Sequence, residues 1–142
     1  MLIRLARHTD RKRLSELTAS WPGTSLCDSF LEHPHFCILV AVAANGAIVG
    51  YAAGHDTDPA QVRESLGTAS GVYGQHRVAL LDEIMVRPSH ERRGIGALLV
   101  RSFEDWARQR GCSLATLGGP RPGFYKKLGY ERVGDLGFWK VL

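Results

Sequence analysis

Hydrophobic and polar positions along the chain fall into short strand-like runs separated by helical stretches. Residues 1–7 alternate, with Leu2, Arg4 and Ala6 set against Ile3, Leu5 and Arg7, which predicts a first strand. Thr9-Asp10 offers an N-cap, and Leu14, Leu17, Thr18 and Trp21 then recur at helical spacing until Pro22-Gly23 stops them. A second helical piece is expected from about Leu26 to Glu32. Phe36 to Ala43 is almost wholly apolar and reads as a buried strand. Asn45-Gly46 is a strong hairpin signal, and Ala47 to Gly54 returns as the partner strand.

The stretch from Asp56 to His76 is less regular. Asp58-Pro59 with Gln61 resembles a capped helix start, predicting a short helix to Leu66, and Gly67 to Gly74 reads as a mobile loop. Val78 to Val86 is a strand that Pro88 ends, biasing Arg87 to an extended backbone. From about Arg93 to Arg110 the chain is an amphipathic helix. Ile95, Leu98, Leu99, Phe103, Trp106 and Ala107 line one face; Arg101, Glu104, Asp105, Arg108 and Gln109 line the polar one. Gly111 suits the position just past its end. Cys112 to Leu117 reads as a buried strand and Phe124 to Leu128 as a short helix stopped by Gly129. Tyr130 to Val133 and Phe138 to Leu142 are the last strands.

A chain of 142 residues with 44% hydrophobic and 23% charged residues fits one soluble domain, 1–142, with one core. No apolar run is long enough to cross a membrane, and Met1–Arg7 is too short and too charged for a secretory segment, so the expectation is a cytoplasmic protein with no membrane partner. Three cysteines without CxxC spacing argue against a disulfide framework and a cysteine-based zinc site. The six histidines are scattered, with His33-Pro34-His35 the nearest pair, so no metal is expected. A net charge of +4 admits nucleic acid, but the basic residues neither line one helix face nor interleave with aromatics. A small anionic ligand accounts for the balance equally well, and no nucleic acid is expected.

The chemistry concentrates at Val86-Arg87-Pro88-Ser89-His90-Glu91-Arg92-Arg93-Gly94-Ile95-Gly96-Ala97-Leu98-Leu99. An apolar strand runs into a basic, Gly-containing loop that opens directly into a helix. Such a junction gathers backbone N–H groups and a positive helix end at one spot, a site for a pyrophosphate. The third glycine of the dinucleotide fingerprint and the Lys-Ser/Thr of a P-loop are both absent.

Leu81 to Val86 followed by Arg92-Arg93-Gly94-Ile95-Gly96-Ala97-Leu98-Leu99 resembles the acyl-CoA signature of the GNAT superfamily of N-acetyltransferases. Phe124-Tyr125-Lys126-Lys127-Leu128-Gly129-Tyr130 is similar to the same superfamily's C-terminal motif. The order of elements matches over nearly the whole chain. Two positions depart from the family pattern: Glu91 stands where Gln or Arg is usual, and Leu117 to Pro122 contains no Asn. The resemblance implies an α/β fold with a mixed α+β sheet, mostly antiparallel and of about six to seven strands. Its strands at 78–86 and 112–117 would splay, and about four helices would flank it.

It also implies acetyl-CoA as cosubstrate and a small-molecule or peptide amine as acceptor, with direct transfer in a ternary complex. The amides of Gly94, Ile95, Gly96 and Ala97 would take the pyrophosphate, with charge from Arg92 or Arg93. Ile84, Met85 and Val86 would carry the pantetheine along a strand edge, and an amide near Met85 or Val86 would meet the oxyanion. Tyr125 would protonate the leaving thiolate, with Phe124 in the core. Alternation puts Leu81, Glu83 and Met85 on one face and Asp82, Ile84 and Val86 on the other. Glu83 is the candidate base, with Asp82 its rival and His55 and His76 further alternatives. Cys112 reads as a buried strand cysteine rather than a nucleophile. A non-catalytic acyl-CoA-binding regulatory module stands as the alternative function. The resemblance permits a homodimer through the C-terminal strands.

Overall fold

Alternation at the N-terminus becomes strand β1 (Leu2–Leu5), which enters helix α1 (Arg11–Ala19) through a 3-10 turn at His8–Asp10. A computed structural model describes residues 1–19, 31, 34–57, 77–118, 121–133 and 137–142. Asp10, expected to cap the helix, turns back instead. Its buried carboxylate accepts the Arg7 N–H at 2.7 Å and both terminal nitrogens of Arg4 at 2.7 and 3.0 Å. The fork-on-carboxylate pair ties β1 to the start of α1.

Strands β2 (Phe36–Val42) and β3 (Ile48–Thr57) form the expected hairpin. Gly46 takes φ +84°, and the Asn45 side chain accepts the Ala47 N–H at 3.0 Å. β1 lies antiparallel to β2, from Leu2 opposite Val42 to Leu5 opposite Leu39. β3 runs three residues past the Gly54 that alternation predicts. The extension brings His55 and Asp56 into the strand, and Asp56 is buried because Arg77 and Arg110 both donate to its carboxylate. Asp56 thus leaves the irregular stretch expected of it.

Strand β4 (Val78–Val86) ends at Arg87, whose φ −56° and ψ 139° are the extended backbone that the following proline imposes. Helix α2 (Ile95–Gln109) starts two residues later than the pattern predicts, because Arg92 and Gly94 adopt φ +62° and +78°. Beyond it come β5 (Leu114–Gly118), the six-residue helix α3 (Pro122–Lys127), β6 (Glu131–Val133) and β7 (Gly137–Val141). Helix α3 opens earlier than expected, since Pro122 suits a first turn.

Seven strands make one mixed sheet in the order β1-β2-β3-β4-β5-β7-β6. β4 and β5 are parallel from Val78 opposite Leu114 to Leu81 opposite Leu117, where their register ends. β7 lies antiparallel to both β5 and β6. The helical piece expected at Leu26–Glu32 lies outside the described residues save Leu31. The helix expected to Leu66, the loop at 67–74 and His76 lie outside them entirely.

The chain divides into two compact units, Met1–Gly54 with Glu83–Phe103, and His55–Asp82 with Glu104–Leu142. In the first, Leu14 and Leu17 of α1 pack on Ile38, Val40, Ile48, Tyr51 and Ala53, with Met85 against them. In the second, Leu114, Leu117, Phe138 and Tyr130 are buried.

Candidate active site

In the first unit, the segment after β4 is built to present main-chain donors. Leu98 is the first residue whose N–H reaches back within α2, to Gly94 O at 3.1 Å. The amides of Ile95, Gly96 and Ala97 therefore lie ahead of the first intrahelical bond, where an α-helix has no partner of its own to give. No acidic side chain sits in this first turn. Positive φ at Arg92 and Gly94 alternates with ordinary backbone at Arg93, the kind of alternation that curls successive N–H groups into an anion-binding concavity. Gly94 has open space at its Cβ position, so its requirement is for the left-handed backbone and not for room. Arg92 has no such excuse. An arginine in the left-handed region costs about 1 kcal/mol, the sort of local strain that functional loops retain. Glu91, Arg92 and Arg93 are all exposed.

The end of β4 is gripped by β3. A Cβ on Gly50 would stand 2.7 Å from Met85 O, so the two backbones approach as closely as only glycine allows, and Arg87 N–H donates to Val49 O at 2.8 Å. Met85 O and Val86 N–H belong to one trans peptide and point in opposite directions. The Val86 amide is therefore directed away from Gly50. Ile84 and Met85, like Val86, are half-buried.

Glu83 is also half-buried, and Tyr51, fully buried beneath it, donates its hydroxyl to Glu83 Oε2 at 2.9 Å. Met85, two residues on, packs on the same cluster as Tyr51. The face assigned by alternation to Glu83 and Met85 is thus the α1 side of the sheet.

In the second unit, Tyr125 sits on α3 at 6% exposure. Its ring meets Phe124, Tyr130 and Phe138 at centroid distances of 5.2, 6.4 and 5.6 Å. Burial pushes its phenol above the ordinary range, against a smaller opposing pull from Arg121. The hydroxyl therefore stays protonated through neutral pH. Asp82 and His55 meet: Asp82 Oδ2 is 2.7 Å from His55 Nδ1, and each side chain is about a quarter exposed. The carboxylate orients the ring, a link between two residues that the sequence named separately. Cys112 is buried, and burial raises its thiol, as an inert structural cysteine requires. Among the described residues no group of three or more His, Cys, Asp and Glu side chains is placed to hold a metal, and no helix is long and apolar enough to cross a membrane.

Two buried carboxylates in this unit escaped the sequence reading. One is Asp56. The other is Glu104, which the helical pattern puts on the polar face of α2 but which is 2% exposed. Tyr130 and Lys140 enclose it and satisfy its charge. The signal that would have found them is a cation at long range, Arg77 and Arg110 for one and Lys140 for the other.

Comparison with known proteins places the fold in a family. The model of the acetyltransferase (GNAT) family matches residues 4–130. An aminoglycoside N(6')-acetyltransferase type 1 from Klebsiella aerogenes is 37% identical over 76 residues, which is 54% of this chain and 43% of that protein. The chain thus matches less than half the length of this curated relative. Among solved structures, the aminoglycoside 6'-N-acetyltransferase AAC(6')-IG of Acinetobacter haemolyticus superposes with a TM-score of 0.76 at 18% identity, covering 95% of this chain and 94% of the other. NAA60 of Arabidopsis thaliana in complex with acetyl-CoA gives a TM-score of 0.78 at 13% identity, covering 99% and 98%. At such identities the two structures speak for the fold.

Proposed function

Because the chain belongs to the acetyltransferase (GNAT) family, we propose that residues 1–142 work as one domain that moves the acetyl group of acetyl-CoA directly to a primary amine of a small molecule. The observation that carries this reading is the turn at Arg92–Ala97. Left-handed backbone at Arg92 and Gly94 runs into a helix whose first amides precede any intrahelical bond. That geometry suits the pyrophosphate of a CoA ester, with Arg92 and Arg93 adding charge. Ile84, Met85 and Val86 would carry the pantetheine arm.

The reaction then assigns its groups. The amine nitrogen attacks the thioester carbonyl, the new C–N bond forms, and the C–S bond breaks. Val86 N–H, turned away from β3, donates to the oxyanion of the tetrahedral intermediate. Glu83 accepts the proton that the ammonium group must lose before its nitrogen can attack, and the Tyr51 hydroxyl fixes the carboxylate that does so. Tyr125 gives its phenolic proton to the departing thiolate and is restored by the second N–H proton, which the nitrogen sheds as the intermediate collapses.

The aminoglycoside acetyltransferase from Klebsiella aerogenes supports an amino sugar as acceptor over a peptide terminus. The buried thiols of Cys37 and Cys112 fit a reducing compartment such as the cytoplasm. The test follows CoA thiol release from acetyl-CoA with three acceptors: neamine, a linear polyamine and a short peptide with a free N-terminus. Release with neamine, with an acetylated product of matching mass, is the expected result. Release with the peptide alone would move the acceptor class. Tight acetyl-CoA binding with no release across all three would make the chain a non-catalytic acyl-CoA-binding module.

A further inference from the structure

A buried charge cluster beside α3 has no part in the mechanism above. Glu104 projects from α2, and its carboxylate takes three hydrogen bonds. The Tyr130 hydroxyl donates to Oε2 at 2.9 Å, and Lys140 Nζ donates to Oε1 at 3.0 Å and Oε2 at 3.3 Å. Arg108 stands farther off, at 3.9 Å from Oε1. Lys140 also donates to Leu128 O at 2.9 Å, and its ammonium lies 5.7 Å from the centre of the Tyr130 ring. Tyr130 N–H in turn donates to Tyr125 O at 3.1 Å, an oxygen that also accepts from Leu128 N–H at 3.1 Å. One lysine and one glutamate thus tie together α2, the end of α3, the residue before β6, and β7.

Burying a carboxylate against a half-buried ammonium is a weak way to add stability, since well-packed apolar side chains of similar volume often do as well or better. What such a pair does provide is direction, because charged hydrogen bonds are short and angular. Direction is what α3 lacks by itself. It has six residues and no side-chain cap at its N-terminus, and a helix so short has no stability of its own. The aromatic contacts of Tyr125 hold the ring among apolar neighbours without fixing where the helix end lies. The turn that follows is built around the lysine. Gly129 sits at φ +94°, and a Cβ there would come within 3.4 Å of the Lys140 side chain.

We infer that Glu104 and Lys140 are positioning residues for Tyr125, locking the end of α3 so that the phenol is held where the leaving thiolate needs it. The inference rests on the reading of Tyr125 as the proton donor. It makes these two side chains matter to kcat although neither touches substrate.

The test measures kcat, and KM for acetyl-CoA, in Lys140→Met, Lys140→Arg and Tyr125→Phe, in the double variant Lys140→Met/Tyr125→Phe, and in the charge-free double variant Glu104→Gln/Lys140→Met. The last leaves no unpaired charge in the interior and keeps the experiment decisive if Lys140→Met does not fold. The lock predicts that Lys140→Met lowers kcat by about 10- to 100-fold, the penalty of a slightly misplaced group, with KM for acetyl-CoA within about twofold of wild type. Lys140→Arg recovers most of the loss. The charge-free variant stays slow, and Lys140→Met costs nothing further once Tyr125 is already phenylalanine. Wild-type kcat in the charge-free variant would overturn the inference. So would an equal fractional loss from Lys140→Met in both backgrounds, and that result would leave Tyr125 in its role. Wild-type kcat in Tyr125→Phe would instead remove Tyr125 from the chemistry, and the lock with it.

Discussion

The unit made of Met1–Gly54 and Glu83–Phe103 offers main-chain groups, namely the amides of Ile95, Gly96 and Ala97 and the Val86 N–H. The unit made of His55–Asp82 and Glu104–Leu142 offers side chains, namely Tyr125 and the His55–Asp82 pair, with buried charge at Asp56 and Glu104. On the proposed reading, the contrast follows from what each would bind. A pyrophosphate is large, fixed in charge and well served by N–H groups, which need only the correct backbone torsions. A proton must pass to and from particular atoms, which needs side chains whose ionisation and angle are controlled. Substitutions should therefore act in opposite ways. In the first unit, with Glu83 as the exception, a change of backbone conformation is damaging and a change of side chain mild; in the second, a single atom removed from a side chain is enough.

The largest effect expected is from removing one oxygen. Tyr125→Phe should lower kcat by about 10²-fold with acetyl-CoA affinity unchanged, since a general acid contributes on that order. Stopped-flow measurement of thiol release gives the number. Undiminished turnover would break the contrast at its strongest point.

Next comes the choice between two carboxylates. Glu83→Gln should lower kcat/KM by about 10- to 100-fold, while Asp82→Asn should cost about threefold or less. The reverse order, with the larger loss in Asp82→Asn shared by His55→Ala, would transfer the base to the His55–Asp82 pair. The role would then lie in the second unit, and the comparison would sharpen.

A third prediction concerns acid stability in the first unit. Arg4, donating to Asp10, is the main influence holding that carboxyl below its ordinary range, with the Arg7 N–H acting the same way. A depressed carboxyl contributes stability above its unfolded value, about 3.9, and loses it as pH falls through the depressed value. Asp10→Asn should therefore melt lower than wild type at pH 7. The gap between the two should narrow as pH falls below about 4. A constant gap across pH would mean that Asp10 contributes by packing alone.

The smallest effect belongs to Arg92. Replacing it with glycine releases the cost of φ +62° and removes one cation. The expected result is a melting temperature equal to or above wild type, with acetyl-CoA binding about threefold weaker. Lower stability in Arg92→Gly would mean that the side chain itself holds the turn.

The same contrast decides how much could be read in advance. The hairpin at Asn45-Gly46, the helix stops at Gly111 and Gly129, and the turn at Gly94 all take positive φ at the glycine. These were legible because a turn's chemistry is local. The seven-stranded mixed sheet followed from the order of such local signals together with the family resemblance. Glu104 was misjudged because helical periodicity sees only neighbours three and four residues away. Its burial is decided by Tyr130 and Lys140, 26 and 36 residues on. Asp56 depends in the same way on Arg77 and Arg110, 21 and 54 residues on. Alternation sorted Glu83 and Asp82 onto two faces but could not say that Tyr51 and His55 would meet them, since that depends on the register of β3.

The most direct test is a calorimetric titration of acetyl-CoA into the wild type, Gly94→Val and Tyr125→Phe. A valine at φ +78° is strained whatever the space around it, and it perturbs the backbone without touching charge. The account predicts micromolar binding to the wild type, the same affinity in Tyr125→Phe, and binding weakened at least about tenfold in Gly94→Val. Equal binding in Gly94→Val, or none in the wild type, would mean that the turn is only the start of a helix and that acetyl-CoA is not held by it.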